Sequence, residues 1–217
     1  LIQSGSHMGT GYKIKICGIK DLATLELCVD LQVDFVGLNF SPRSPRQIHE
    51  GTAESLLKIR NNSGFPKLVF LFFENSPSEI QSLKNSLKPD LIQLIRGDKF
   101  LTQELWEDLT ETKSLLPAIR IQEIVTSDED LEPKSDLVIL DSYNKNFGGG
   151  TGHTFPWEYV TSVKRPFLLA GGITPTNVKT ALETVRPYGI DVASGVETDG
   201  KKDPNKIKEL VHNVRKL

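Results

Sequence analysis

Cysteine is scarce, with only Cys17 and Cys28 among 217 residues. Two thiols are too few for a disulfide framework or a zinc ribbon, and they suit a reducing compartment, so a cytoplasmic location is expected. With Cys28 on a predicted first helix, two free thiols are expected rather than a bridge. Long apolar runs are also missing, so no membrane span is expected, and no signal-peptide core is visible. Nor does one sign of charge dominate: the formal net charge is -2 and the pI is near 6.1. This supports neither a nucleic-acid partner nor a basic membrane-surface role. Histidines number four. His7 belongs to Gly5-Ser6-His7-Met8, which resembles a vector-derived scar. Residues 1–10 therefore read as an expression-tag remnant and N-terminal extension, with Met8 as the candidate natural start. His49, His153 and His212 form no metal-ligand spacing with one another or with the cysteines. No nucleophile elbow or Ser-His-Asp order is present.

What is present is an alternation. Short β-branched or aromatic runs occur at Lys13–Cys17, Asp34–Phe40, Lys67–Phe72, Asp90–Leu94, Leu116–Arg120, Asp136–Leu140, Pro166–Ala170 and Ile190–Ala193. Between most of them lie stretches of helical periodicity, and Ile207, Leu210, Val211 and Val214 close the chain with 3-4 spacing. Helix starts are marked by Asp21, and by a capping residue followed by proline at Ser76-Pro77, Thr174-Pro175 and Asp203-Pro204. Residues 121–133 carry the weakest helical signal. Eight strands separated by crossovers imply parallel pairing. Residues 11–217 thus fit one α/β domain, a compact (β/α)8 barrel of about 200–250 residues. The competitor is a doubly wound open sheet. It would usually carry Gly-x-Gly-x-x-Gly after its first strand, where this chain has Cys17-Gly18-Ile19-Lys20.

A parallel barrel places its chemistry at the C-terminal ends of the strands. Cys17 stands at the tip of the first, although a free cysteine is often only a small buried hydrophobe. After strand 2, Arg43 and Arg46 project from a loop stiffened by Pro42 and Pro45. An arginine held this way can grip a carboxylate or phosphate bidentately, while a solvated basic loop is the plainer reading. After strand 6, Asp141 is placed at the barrel mouth, ahead of the glycine-rich Gly148-Gly149-Gly150-Thr151-Gly152, which is not a Walker loop. Gly171-Gly172 after strand 7 and Ser194-Gly195 after strand 8 occupy the usual phosphate site of such a barrel.

Together these segments resemble the phosphoribosylanthranilate isomerase family of tryptophan biosynthesis. The resemblance is carried by Lys15-Ile16-Cys17-Gly18-Ile19, Phe35–Phe40 with Ser44-Pro45-Arg46, and Val69–Phe72. It continues through Leu140-Asp141-Ser142 with Gly149-Gly150-Thr151-Gly152, Ala170-Gly171-Gly172-Ile173, and Asp191–Glu197 with Gly200–Asp203. It runs in order from about Lys13 to the C-terminus. It implies a cofactor-free TIM-barrel isomerase that works on a small phosphosugar, N-(5-phosphoribosyl)anthranilate, as a monomer or homodimer. Under the resemblance, Asp141 is the general acid that opens the ribose ring and Cys17 the general base that takes the C2′ proton. Arg46 binds the anthranilate carboxylate. Gly171, Gly172, Ser194 and Gly195, with Gly149, Gly150 and Gly152, hold the phosphate. Asp141 then needs a raised pKa, and Cys17 a favoured charged form.

One segment departs from the family pattern. Gln93-Leu94-Ile95-Arg96-Gly97 stands where Gln-Leu-His-Gly is usual, so Arg96 is a candidate source of positive charge at the mouth. Asp191 is expected to face the barrel interior near Cys17, and Glu197 and Lys201 are compatible with surface positions. Rival readings are another phosphosugar barrel enzyme, such as an indole-glycerol-phosphate synthase or a ribulose-phosphate epimerase, or a barrel that binds a phosphorylated ligand without catalysis. The first two would need a catalytic strand-end lysine or metal ligands.

Overall fold

The computed structural model describes residues 11–58, 66–99, 101–131, 135–142 and 156–217. Eight parallel strands close into a barrel in sequence order. They are β1 (Lys13–Cys17), β2 (Phe35–Asn39), β3 (Lys67–Phe72), β4 (Leu91–Ile95), β5 (Leu115–Ile121), β6 (Val138–Ser142), β7 (Phe167–Leu169) and β8 (Gly189–Val192). Each was expected within a few residues, and the open-sheet alternative is excluded because β1 pairs with β8 as well as with β2.

Strand parity sorts the side chains into two cores. Ile14, Ile16, Val36, Leu38, Leu68, Phe70 and Phe72 pack outward with the helices. Phe35, Val69, Ile95, Leu116, Ile139 and Leu168 form a second cluster inside the barrel. In β1 the interior positions are the polar ones, so the Lys-Ile-Lys-Ile-Cys alternation marks a barrel interior rather than a solvent face. Lys15 is fully buried there and its register partner is Asp191.

The helices are α1 (Leu22–Asp30), α2 (Glu50–Leu57), α3 (Pro77–Leu87), α4 (Gln103–Glu111), α5 (Val178–Val185) and α6 (Pro204–Arg215). Their starts follow the side-chain chemistry. Asp21 accepts the Thr24 amide, Ser76 the Glu79 amide, and Asp203 the amides of Asn205 and Lys206. The helix expected at Thr174-Pro175 begins three residues later than Pro175, at Val178. The reason is local: the Thr174 amide donates to Asn177 Oδ1, and Asn177 Nδ2 donates to the Gly172 carbonyl, so this stretch is a side-chain-braced turn. Among the described residues a 3-10 turn at Asp128–Asp130 follows β5, and another at Trp157–Val160 precedes β7. The first fits the weak periodicity of 121–133.

After β8 the chain makes a 3-10 turn at Ser194–Val196, then a hairpin of β9 (Glu197–Thr198) and β10 (Lys201–Lys202). Asp199 and Gly200 between them both have positive φ, 51° and 73°, the signature of a tight I′-type turn. Among the described residues no helix is long and apolar enough to cross a membrane.

Both cysteines are free and buried, Cys28 on α1 against the outer core. Burial pushes the Cys28 thiol up to about 12. Its unfolded counterpart ionises near 8.5, so folding loses stability as pH rises between about 8.5 and 12. Cys28→Ala is expected to flatten the decline of unfolding free energy across that alkaline window, measured by urea denaturation at successive pH values.

Candidate active site at the barrel mouth

Cys17 ends β1 with 5% exposure, and the neighbouring strand makes room for it. A Cβ on Gly37 would come within 2.8 Å of Cys17 Sγ, so glycine at this β2 position admits the thiol. Gly18 follows with φ +81°, and a Cβ there would meet Arg46 Cδ at 2.5 Å. The glycine after Cys17 therefore both turns the chain and lets Arg46 lie across it.

Arg46 is aimed by its own loop. Asn39 Nδ2 donates to Ser44 Oγ at 3.0 Å, and Ser44 Oγ accepts the Arg46 amide at 3.1 Å. The two arginines of this loop part company. Arg43 is 82% exposed and pairs with Glu74. Arg46 is 13% exposed and turns inward. Its Nε and Nη2 donate to the two oxygens of Glu197 at 2.7 and 2.6 Å, a fork-on-fork pair. Glu197 Oε1 also accepts from Lys202 Nζ at 2.7 Å, and Lys202 donates to the Ala193 carbonyl at 2.8 Å. Glu197 is thus no surface residue. Donating these hydrogen bonds to Glu197 raises the Arg46 pKa. Burial alone would raise that of Glu197, but Arg46 and Lys202 outweigh it and hold the carboxyl below its ordinary value. Burial lowers the Lys202 pKa, with Glu197 opposing.

Beneath Cys17, Lys15 Nζ donates to Asp191 Oδ1 and to Gln93 Oε1, both at 2.9 Å. Burial disfavours its charge, yet Asp191, and to a smaller extent Cys17, leave the Lys15 pKa raised. Asp191 faces the interior as expected. Burial dominates at Cys17 and pushes its thiol up, while Lys15 and Lys202 pull it down and Asp191 adds to the rise. The expected preference for the charged form of Cys17 is therefore not met: the lysines soften the cost of burial without cancelling it.

Asp141 lies near the end of β6, half-buried, in register with Arg120 of β5. Arg120 lies 5.2 Å from the centre of the Phe73 ring. Gly171 and Gly172 both have positive φ, 86° and 69°, so these two residues need glycine. Gly195 sits so close to the preceding turn that a Cβ would overlap the Ile173 carbonyl. The turns after β7 and β8 are thus packed against each other. Arg96 is exposed just beyond β4, its amide bonded to the Ala118 carbonyl. Gly149, Gly150 and Gly152 lie outside the described residues, as does His153. Among the described residues no group of three His, Cys, Asp or Glu side chains could hold a metal ion.

The structure thus groups Cys17 and Arg46 on one side of the mouth and places Asp141 at the end of β6, with the two glycine turns after β7 and β8 between them in barrel order. Lys15, Gln93, Gly37 and Lys202 stand in motifs quoted from the sequence but were given no role there. Lys15 was recoverable from parity, being two residues before Cys17 on the same face. Lys202 was not, because its direction depends on the hairpin register. Gly195→Ala is expected to destabilise the fold by at least about 1–3 kcal/mol through overpacking, read as a lower urea midpoint at unchanged slope.

The family model for N-(5'-phosphoribosyl)anthranilate isomerase matches residues 14–213. A curated N-(5'-phosphoribosyl)anthranilate isomerase from Leptospira borgpetersenii serovar Hardjo-bovis is 42% identical over 205 residues, covering 94% of each chain. One from Leptospira interrogans is 41% identical over 206 residues, again covering 94% of each. The crystal structure of phosphoribosyl anthranilate isomerase from Thermus thermophilus superposes with a TM-score of 0.81 at 26% identity, over 94% of this chain and 99% of that one. A further isomerase structure, in complex with reduced 1-(o-carboxyphenylamino)-1-deoxyribulose 5-phosphate, gives 0.73 at 27% identity, over 95% and 100%. With a family match spanning nearly the whole barrel and relatives above 40% identity, the chain belongs to the N-(5'-phosphoribosyl)anthranilate isomerase family.

Proposed function

We propose that this chain converts N-(5'-phosphoribosyl)anthranilate to 1-(2-carboxyphenylamino)-1-deoxyribulose 5-phosphate in tryptophan biosynthesis, in the cytoplasm, by general acid–base catalysis. The observation that carries the reading is the junction of Cys17 and Arg46 across Gly18, at one side of a barrel mouth that also holds Asp141. A base at carbon and a carboxylate grip belong side by side in this reaction, because the carboxylated ring is attached to the carbon next to the one that loses its proton.

In this mechanism Asp141 gives its proton to the ribose ring oxygen as the anilino nitrogen drives the C1′–O bond open, leaving a protonated Schiff base. The Cys17 thiolate takes the C2′ proton, and the electron pair moves toward the iminium nitrogen to give an enolamine. Tautomerisation moves the C2′ hydroxyl proton to C1′ and yields the ketone. Asp141 loses one proton and Cys17 gains one, so the enzyme's total is unchanged by these steps. The Lys15 and Lys202 ammonium groups supply counter-charge for the thiolate. Arg46 holds the anthranilate carboxylate, and the turns at Gly171-Gly172 and Ser194-Gly195 hold the phosphate, together with Gly149, Gly150 and Gly152. The substrate contains both the base-labile carbon and the ring oxygen, so the residues suffice without a cofactor.

The direct test follows loss of fluorescence from freshly generated phosphoribosylanthranilate; no turnover by the wild-type chain would refute the assignment. Cys17→Ala and Asp141→Asn are each expected to lower kcat by at least about 10²-fold. Arg46→Ala is expected to raise KM more than it lowers kcat. The reactive form needs Asp141 protonated and Cys17 ionised together, so kcat/KM is expected to follow a bell-shaped pH profile with one limb from each group. A profile in Cys17→Ala that keeps both limbs at wild-type positions would remove Cys17 as the base.

A further inference from the structure

We propose that Lys202 is a specificity-determining residue that makes the Arg46 subsite attractive to a carboxylate, by returning the positive charge that Glu197 cancels. This rests on the reading of Arg46 given above.

Arg46 is bound by two hydrogen bonds to Glu197, at 2.7 and 2.6 Å. An arginine so paired is close to neutral as seen by an incoming anion, and burial strengthens the cancellation, since the Arg46 and Glu197 side chains are only 13% and 8% exposed. Of five N–H donors on the guanidinium, Nε and one on Nη2 are committed to Glu197, which leaves the Nη1 edge for a ligand. That edge has the right geometry, but an isolated Arg–Glu pair has no net charge with which to draw an anion.

Lys202 changes the sum. Its side chain is 4% exposed and it bonds the same Glu197 oxygen that Arg46 Nε uses. Two cations on one anion leave the cluster with one net positive charge. The hairpin delivers it, because Lys202 is the register partner of Glu197 while Lys201 pairs with Thr198 and stays exposed. The second Lys202 bond, to the Ala193 carbonyl, fixes the ammonium at the end of β8 near Cys17. The expected discrimination is for a substrate ring that carries a carboxylate.

The test is steady-state kinetics with phosphoribosylanthranilate at several salt concentrations. Lys202→Met is expected to raise KM on the order of tenfold, the effect of one unit charge at such range, and by more than the fall in kcat that follows from the lost counter-charge at Cys17. It should also flatten the salt dependence of kcat/KM. Lys202→Arg should restore both. The double variant Glu197→Gln/Lys202→Met has the wild-type net charge and keeps an acceptor for Arg46, so its KM should return toward wild type. An unchanged KM in Lys202→Met, a loss confined to kcat and thermal stability, or a double variant with a tenfold raised KM would each overturn the proposal. Absence of turnover in the wild type would instead refute the functional assignment itself.

Discussion

The barrel closes on a buried ion pair, and the site above it depends on that pair. Lys15 and Asp191 are register partners across the β1–β8 seam, with Gln93 from β4 reaching them through the interior. A lone ammonium in this apolar cylinder would be untenable, whereas one bonded to a carboxylate and an amide oxygen is tolerated. The arrangement joins three strands at the level just below Cys17. It thereby sets the electrostatic floor of the mouth: a cation directly under a thiol whose proton is hard to remove.

A second ionic cluster sits beside the first at the lip and has a different purpose. Lys15 is sealed within the barrel, while Arg46 of the second cluster keeps 13% of its side chain exposed over nearly buried Glu197 and Lys202. The two clusters flank Cys17 from below and from the side. Close packing and one hydrogen bond explain the surroundings of Cys17 and Arg46: Gly37 admits a sulfur, Gly18 is crossed by an arginine, and Ser44 holds that arginine's backbone.

Much of this architecture was legible in the chain. β1 and β3 were read to the residue, because short β-branched runs bounded by turn residues have few other interpretations. Ser76 and Asp203 announced their helices, since an oxygen placed before proline has clear donors to accept. Thr174-Pro175 misled by the same logic, because Asn177 offered the turn a stronger local bond. The site was legible as a set of strand ends but not as a set of partnerships. Glu197 looked like a surface acid because nothing in its neighbours along the chain announces Arg46, which is 151 residues away. Likewise, the Cys17 environment mixes residues from β1, β8 and β10, and no local window contains them.

The tight turn at Asp199-Gly200 carries a consequence of its own. Side chains on a ribbon alternate, so adding or removing one residue in the turn would exchange which of Lys201 and Lys202 looks toward Glu197. Both are lysines. The doublet therefore presents the same functional group at either parity, and the chemistry facing Glu197 is insensitive to a one-step slip of the ribbon.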